Sequence, residues 1–198
     1  MKPFSNSSER NQAEICSALE DLLEDKKHVL EIGSGTGQHA VYFAERLPHI
    51  IWQTSDQDEN HDGIQQWLDE ANLENTRPPV SLDVSQKQWP DIQCDCLYSA
   101  NVVHIVSWEN VVDYFDNGAK LLPENGLFIL YGPFNYEGQF TSQSNADFDE
   151  WLKSENAQSG IRDFEALDEL ANRNALFLKH DIVMAANNRI LCWEKQVS

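Results

Sequence analysis

The residues with chemistry to offer stand at the ends of apolar runs. Val29-Leu30-Glu31-Ile32 leads into Gly33-Ser34-Gly35-Thr36-Gly37, and an amphipathic segment opens near Gln38. That order reads as a strand, a tight loop in which glycine supplies unusual backbone angles, and a helix whose first N–H groups face whatever lies against the loop. The spacing departs from the dinucleotide fingerprint G-x-G-x-x-G, because the third glycine is Gly37 and Gln38 occupies the fingerprint position. Glu31 sharpens the distinction. A carboxylate at a strand end orients an amine or an ordered water, whereas beside a pyrophosphate it adds like-charge repulsion. The group that suits this loop better than NAD is S-adenosylmethionine.

Further polar residues recur where later apolar runs stop. Ile50-Ile51-Trp52-Gln53-Thr54-Ser55 ends at Asp56, spaced after the glycine loop as a ribose-binding carboxylate should be, with Gln57 beside it in the cofactor-binding set. Val80-Ser81-Leu82-Asp83 ends in an acid that can accept an adenine amino group, and Val84 offers a backbone N–H to a ring nitrogen. Asp56 also fits an exposed turn, and Asp83 the cap of a helix beginning near Val84. Cys94 to Ala100 runs into Asn101-Val102-Val103-His104, where Asn101 faces the methionine half of the cofactor and His104 is the best-placed general base. His104 equally suits a hydrogen-bonded scaffold role, and Tyr131, with Gly132-Pro133-Phe134 after it, suits either an acceptor pocket or simple packing. Arg10, in a polar arm, is a cation able to fold back onto the cofactor carboxylate. No metal site is expected.

The elements that must position these groups alternate. A polar arm, residues 1–12, precedes an amphipathic helix over 12–24 with Ile15, Ala18, Leu19, Leu22 and Leu23 on one side. Strands are expected at 28–32, 50–55, 80–83, 94–100 and 127–131, with helices from Gln38, over 63–71 and over 108–122. Residues 132–160 break the rhythm and read as an inserted lid. A helix over 163–174 follows, then two strands joined by a hairpin turn at Ala186-Asn187-Asn188. Strand and helix in alternation build right-handed crossovers and a mostly parallel sheet with helices on both faces. The expected fold is therefore α/β and Rossmann-like, seven-stranded, with an antiparallel last strand, in one domain over 1–198.

Composition narrows the partners. Against 33 acids stand 14 bases, a formal net charge of −19 over 198 residues, so phosphate backbones and anionic lipid surfaces are repelled and nucleic acid is not an expected partner. The four cysteines include one C-x-C pair, Cys94 and Cys96, which strand alternation places on one face, a poor geometry for a disulfide. Reduced thiols, a cytoplasmic location and no membrane association are the expectations, since no apolar run reaches the length of a span.

Several segments are distinctive together: Glu9-Arg10-Asn11, the glycine loop through Ala40, Trp52 to Asp56, Ser99-Ala100-Asn101-Val102-Val103-His104-Ile105, Tyr131-Gly132-Pro133-Phe134, Gly160-Ile161-Arg162-Asp163 and Ala186-Asn187-Asn188. With them the chain resembles the class I S-adenosylmethionine-dependent methyltransferases, and within these the family that includes methyltransferase-like protein 26. The resemblance implies cofactor contacts at Glu31, the loop, Asp56, Asp83 and Asn101. It raises Arg10, Asn11, His104, Tyr131, Asn145 and Arg162 as acceptor-side candidates, and it names no acceptor. A small-molecule acceptor is the expectation. A non-catalytic protein that binds S-adenosylmethionine or S-adenosylhomocysteine and regulates a partner is the alternative, and a nicotinamide-dependent oxidoreductase a third.

Overall fold

The computed structural model describes residues 2–196. Met1 and the last two positions of the expected domain lie outside the described residues. The first element departs from expectation: α1 spans Asn6–Leu22, so most of the supposed arm is helical. Ser5 caps it, its side chain accepting from the Ser8 N–H, and the Gln38 amide both accepts from the Ser5 N–H and donates to the Ser5 carbonyl at 3.3 Å. Gln38, which holds the backbone of the cap residue, sits 33 positions away in sequence, beyond the reach of a local pattern.

The strands form one sheet in the order β3-β2-β1-β4-β5-β9-β8. They are β1 (His28–Ile32), β2 (Ile51–Asp56), β3 (Thr76–Ser81), β4 (Cys96–Ala100), β5 (Leu127–Gly132), β8 (Leu176–Val183) and β9 (Arg189–Lys195). β1 lies parallel between β2 and β4, β5 is parallel to β4, and β9 runs antiparallel to both β5 and β8. The fold class is thus the expected one. β9 is the antiparallel strand, and the hairpin turn carries Ala186 and Asn187 at φ 54° and 59°, the left-handed pair that such a turn requires. β3 starts earlier than the sequence pattern suggests and ends before Asp83. It is an edge strand, so Pro78 and Pro79 break no ladder on its open side.

Apolar side chains cover both faces. On one, Ile15, Cys16 and Leu19 of α1, Phe43 of α2 (Gln38–Arg46) and Ile64 of α3 (Asp58–Ala71) pack on Val29, Trp52 and Tyr98. On the other, Val111, Tyr114 and Phe115 of α5 (Trp108–Leu121) and Leu167 and Leu170 of α7 (Phe164–Arg173) pack on Leu30, Leu97 and Phe128. Cys96 joins the first cluster and Cys94 the second. The C-x-C pair therefore does not share a face, because the strand begins only at Cys96; all four thiols are free. The region 132–160 contains β6 (Phe134–Asn135), paired in parallel with β7 (Arg162–Asp163), and α6 (Gln143–Glu155). Among the described residues no helix is long and apolar enough to cross a membrane.

Candidate functional site

Strand order reverses between β1 and β4, and in an open α/β sheet the crevice outside the carboxyl ends at that point is where ligands sit. A cleft of about 590 Å³ opens there. Glu31, Gly33, Ser34, Gly35 and Thr36 from the end of β1, Asp56 and Gln57 from β2, Asp83 and Val84 after β3, and Asn101 after β4 all line it. Gly37 does not. At φ 87° it begins α2 and packs against the Ile64 backbone, where a Cβ would approach within 3.1 Å. Gly35, by contrast, has φ 58° and nothing within 4 Å of a Cβ position, so its bare backbone faces open space.

The acids of the cleft differ in what holds them. Asp56 is buried and accepts from the Gly35 N–H (2.7 Å), its neighbour Gln57 N–H (2.7 Å) and the Asn60 amide (2.8 Å), so its carboxylate braces the glycine loop as well as facing the cleft. It is no exposed turn. Asp83 begins no helix; it accepts from the Ser85 N–H at 2.8 Å and the Gln57 amide at 3.0 Å. Burial, which pushes its pKa up, is outweighed by those bonds, and the net shift is downward. Glu31 is the opposite case. Burial raises it to about 7, assisted by the Asp56 charge and opposed by bonds from Trp52, whose indole N–H lies at 3.1 Å, and Ser34.

A second cavity of about 440 Å³ adjoins the first, sharing Ser7, Asn11 and Asn101 in its walls. Tyr131 and Pro133 form part of its floor, Asn145 and Phe148 of α6 close one side, and Ala185, Ala186 and Asn188 of the hairpin close another. Burial pushes the Tyr131 phenol above its ordinary range, with the Glu14 charge adding to that and the Asn11 and Asn188 amides opposing it. At neutral pH it is a hydrogen-bond donor rather than a base. Asn101, at φ 64°, holds the left-handed angle that asparagine tolerates, and its N–H donates to the Tyr131 carbonyl at 2.8 Å. This ties the ends of β4 and β5 together beneath both cavities.

Besides Gly37, three expected site residues fall elsewhere. Arg10 lines the second cavity, not the first cleft, because α1 is helical through it and its guanidinium donates to Ser7 Oγ at 3.3 Å. His104 lines neither cavity: it is 0% exposed in the short helix α4 (Val102–Ile105), its ring centroid 5.1 Å from that of Phe134 at a tilt of 56°, with both ring nitrogens unpartnered. Burial, with the Arg162 charge, lowers it to about 3. A base sealed from both cavities has no proton to collect, so the general-base assignment is withdrawn. Arg162 also reaches neither cavity. It donates to the Val103, Val106 and Gln158 carbonyls at 2.9, 2.5 and 2.9 Å and so closes the end of α4, whose last carbonyls lack helical partners.

Sequence reasoning missed Ser5, Ser7 and Ser8 of the α1 start, His39, Asn60 and Asn110, all of which line the first cleft, and Glu14 and Asn188 at the second. Asn60 had no helical signal in the sequence pattern, which begins at Gly63; α3 in fact starts at Asp58 and brings the Asn60 amide to Asp56. His39 had a weak signal, in the first turn after the glycine loop; its ring bonds Asn11 at 2.8 Å, and burial lowers it to about 4.

The architecture has many solved counterparts. An O-methyltransferase family protein from Burkholderia thailandensis superposes with a TM-score of 0.85 at 11% identity, over 98% of this chain and 58% of that one. An O-methyltransferase family 2 protein from Planctomyces limnophilus, in complex with apigenin, gives 0.81 at 14%, over 96% and 60%. Human N-acetylserotonin methyltransferase in complex with S-adenosylmethionine gives 0.81 at 13%, over 96% and 53%. This chain thus spans little more than half the length of these structures, and at such identities the likeness establishes the fold alone, a Rossmann-like α/β architecture. Residues 2–195 match one family over nearly their whole extent, and the chain belongs to it: the family described as protein of unknown function (DUF938).

Proposed function

We propose that this chain is a cytoplasmic S-adenosylmethionine-dependent methyltransferase of small-molecule acceptors, a single domain akin to the family that includes methyltransferase-like protein 26, with 132–160 as a lid. The observation that carries this reading is the junction of the two cavities at Asn11 and Asn101, which gives a nucleoside cleft an open chamber beyond its far end. A purely regulatory binder needs no such chamber. The donor set fits the cofactor: bare backbone at Gly35, acids at two successive strand ends, and Glu31 beside the loop. When bound, S-adenosylmethionine supplies an electrophilic methyl group on a sulfonium.

Around it the chain's own residues position and shield. Asp56 and Gln57 would hold the ribose, Asp83 and Val84 the adenine edge, and Glu31, Ser34, Thr36 and Asn101 the amino acid half. Tyr131 and Asn11 would hold the acceptor by donating hydrogen bonds, and α6 would exclude water. The test is calorimetric titration with S-adenosylmethionine, S-adenosylhomocysteine and NAD. Binding of the first two, weakened about tenfold or more in Asp56→Ala, is expected from loss of a charged acceptor; preference for NAD would end the reading.

A further inference from the structure

The polar groups of the second cavity are sorted by sign. Arg10 stands at its rim on α1, spending one contact on Ser7 Oγ at 3.3 Å. Asn11, one residue on, commits its carbonyl oxygen to His39 at 2.8 Å and one amide N–H to the Tyr131 hydroxyl, which leaves its second N–H for the cavity. Acceptors gather at the other end, against the hairpin. Asn145, only 4% exposed, donates to Thr141 Oγ1 at 2.9 Å and to the Asn187 carbonyl at 3.2 Å, so what it has left to offer is its carbonyl oxygen. Glu14 takes the Ala185 N–H on one oxygen at 2.7 Å and keeps the other free, and its charge is felt at the Tyr131 hydroxyl. Arg10 and Glu14 are one helical turn apart, the spacing at which opposite charges ordinarily pair. Each instead holds a neutral partner.

A cavity with a cation and amide donors at one end, and a carboxylate and an amide acceptor at the other, is complementary to a ligand carrying both charges. We propose that the second cavity is the subsite of a small zwitterion, an amino acid or a molecule with the same paired groups. Its carboxylate lies on Arg10 and Asn11 and its ammonium on Glu14 and Asn145. The overall charge of −19 agrees with this choice, because the protein's field repels an anionic acceptor but exerts no net force on a zwitterion. Cβ atoms one turn apart on a helix are about 5–6 Å from each other, a span suited to short zwitterions. The assignment rests on the reading of this cavity as the acceptor side of the cofactor cleft.

The experiment is a titration of the full chain, isotopically labelled, with glycine, β-alanine and 4-aminobutyrate, each with and without saturating S-adenosylhomocysteine. Glycine amide and N-acetylglycine, which lack one charge each, serve as controls. At least one zwitterion is expected to shift the Asn11 and Asn145 side-chain amide resonances, and each single-charge control to bind about tenfold more weakly. Arg10→Gln and Glu14→Gln should each weaken the zwitterion by a similar factor while leaving S-adenosylhomocysteine affinity within about twofold. Failure of all three zwitterions, equal binding of the controls, or indifference to both substitutions would overturn the proposal. Failure of S-adenosylhomocysteine to bind, with zwitterion binding intact, would overturn the methyltransferase reading and leave the subsite standing.

Discussion

The two cavities share a wall at Asn11 and Asn101 but are made of different material. The first is built from strand ends and the turns that follow them: Glu31 and the glycine loop, Asp56, Asp83 and Asn101 are all within three residues of a point where the sheet stops or a helix starts. Its shape follows from the fold. The second is assembled by side chains from α1, α6 and the β8–β9 hairpin, elements far apart in sequence that meet only through tertiary contacts such as Glu14 to Ala185 and Asn145 to Asn187. A scaffold can keep the first cavity while the second changes freely, which is how one fold serves many acceptors. The difference between them can be attacked by mutation.

The largest expected effect is at the glycine loop, and it separates folding from binding. At Gly33, a Cβ would stand 2.6 Å from Val102 Cγ2 with φ at +70°, so Gly33→Ala should cost about 2–4 kcal/mol of stability by thermal or urea denaturation. Gly35→Ala carries only the backbone strain, about 1–2 kcal/mol, yet its methyl enters the space left open above the loop. It should lose S-adenosylhomocysteine affinity out of proportion to stability. If the two variants lost affinity and stability in the same ratio, the first cavity would be a packing defect rather than a cradle.

Next is Arg162. It bonds three carbonyls around α4 from outside both cavities, so Arg162→Gln should lower stability by about 2–3 kcal/mol. Refolded under stabilising conditions, the variant should retain cofactor affinity, which titration would check. A specific loss of affinity in a fully folded variant would return Arg162 to the site.

Glu31 gives a pH signature. Its folded pKa, near 7, exceeds the ordinary 4.5, so the folded state holds its proton more tightly. Stability from this group is complete below pH 4.5 and is lost as the pH rises through 7, a slope totalling about 3 kcal/mol. Glu31→Gln should flatten that slope in urea titrations between pH 5 and 8 relative to the parent, by about that amount. His104 slopes the other way: lowered to about 3 from 6.5, its contribution is present above pH 6.5 and falls away as pH drops toward 3. His104→Leu removes an unpartnered buried imidazole, so it should soften the acid limb and change stability at pH 7 by about 1 kcal/mol or less.

What was legible in the sequence divides along the same line. Strands and their terminal acids read cleanly, because apolar runs and glycine turns act over a few residues; β1, its loop and the start of α2 fall where the pattern puts them. β3 was misplaced because its pattern is blurred by two prolines that only an edge position tolerates. The helical start of α1 was invisible because the partner that pins Ser5 is Gln38. Arg10 and His104 are expected at the site from residue type and position, and Arg162 from the family resemblance, and none of these says which way a side chain turns once its element is packed. The fold turned His104 inward against Phe134 and Gly132.

The account stands most directly on where a bound cofactor points, and a crystal structure of the chain with S-adenosylhomocysteine would show it. The predicted result is adenosine against Asp56, Asp83 and Val84, with the thioether sulfur between Asn11 and Asn101 and facing Tyr131. A ligand bound with its sulfur turned away from the second cavity, or bound outside the first, would contradict the reading of these two cavities as donor and acceptor sides of one reaction.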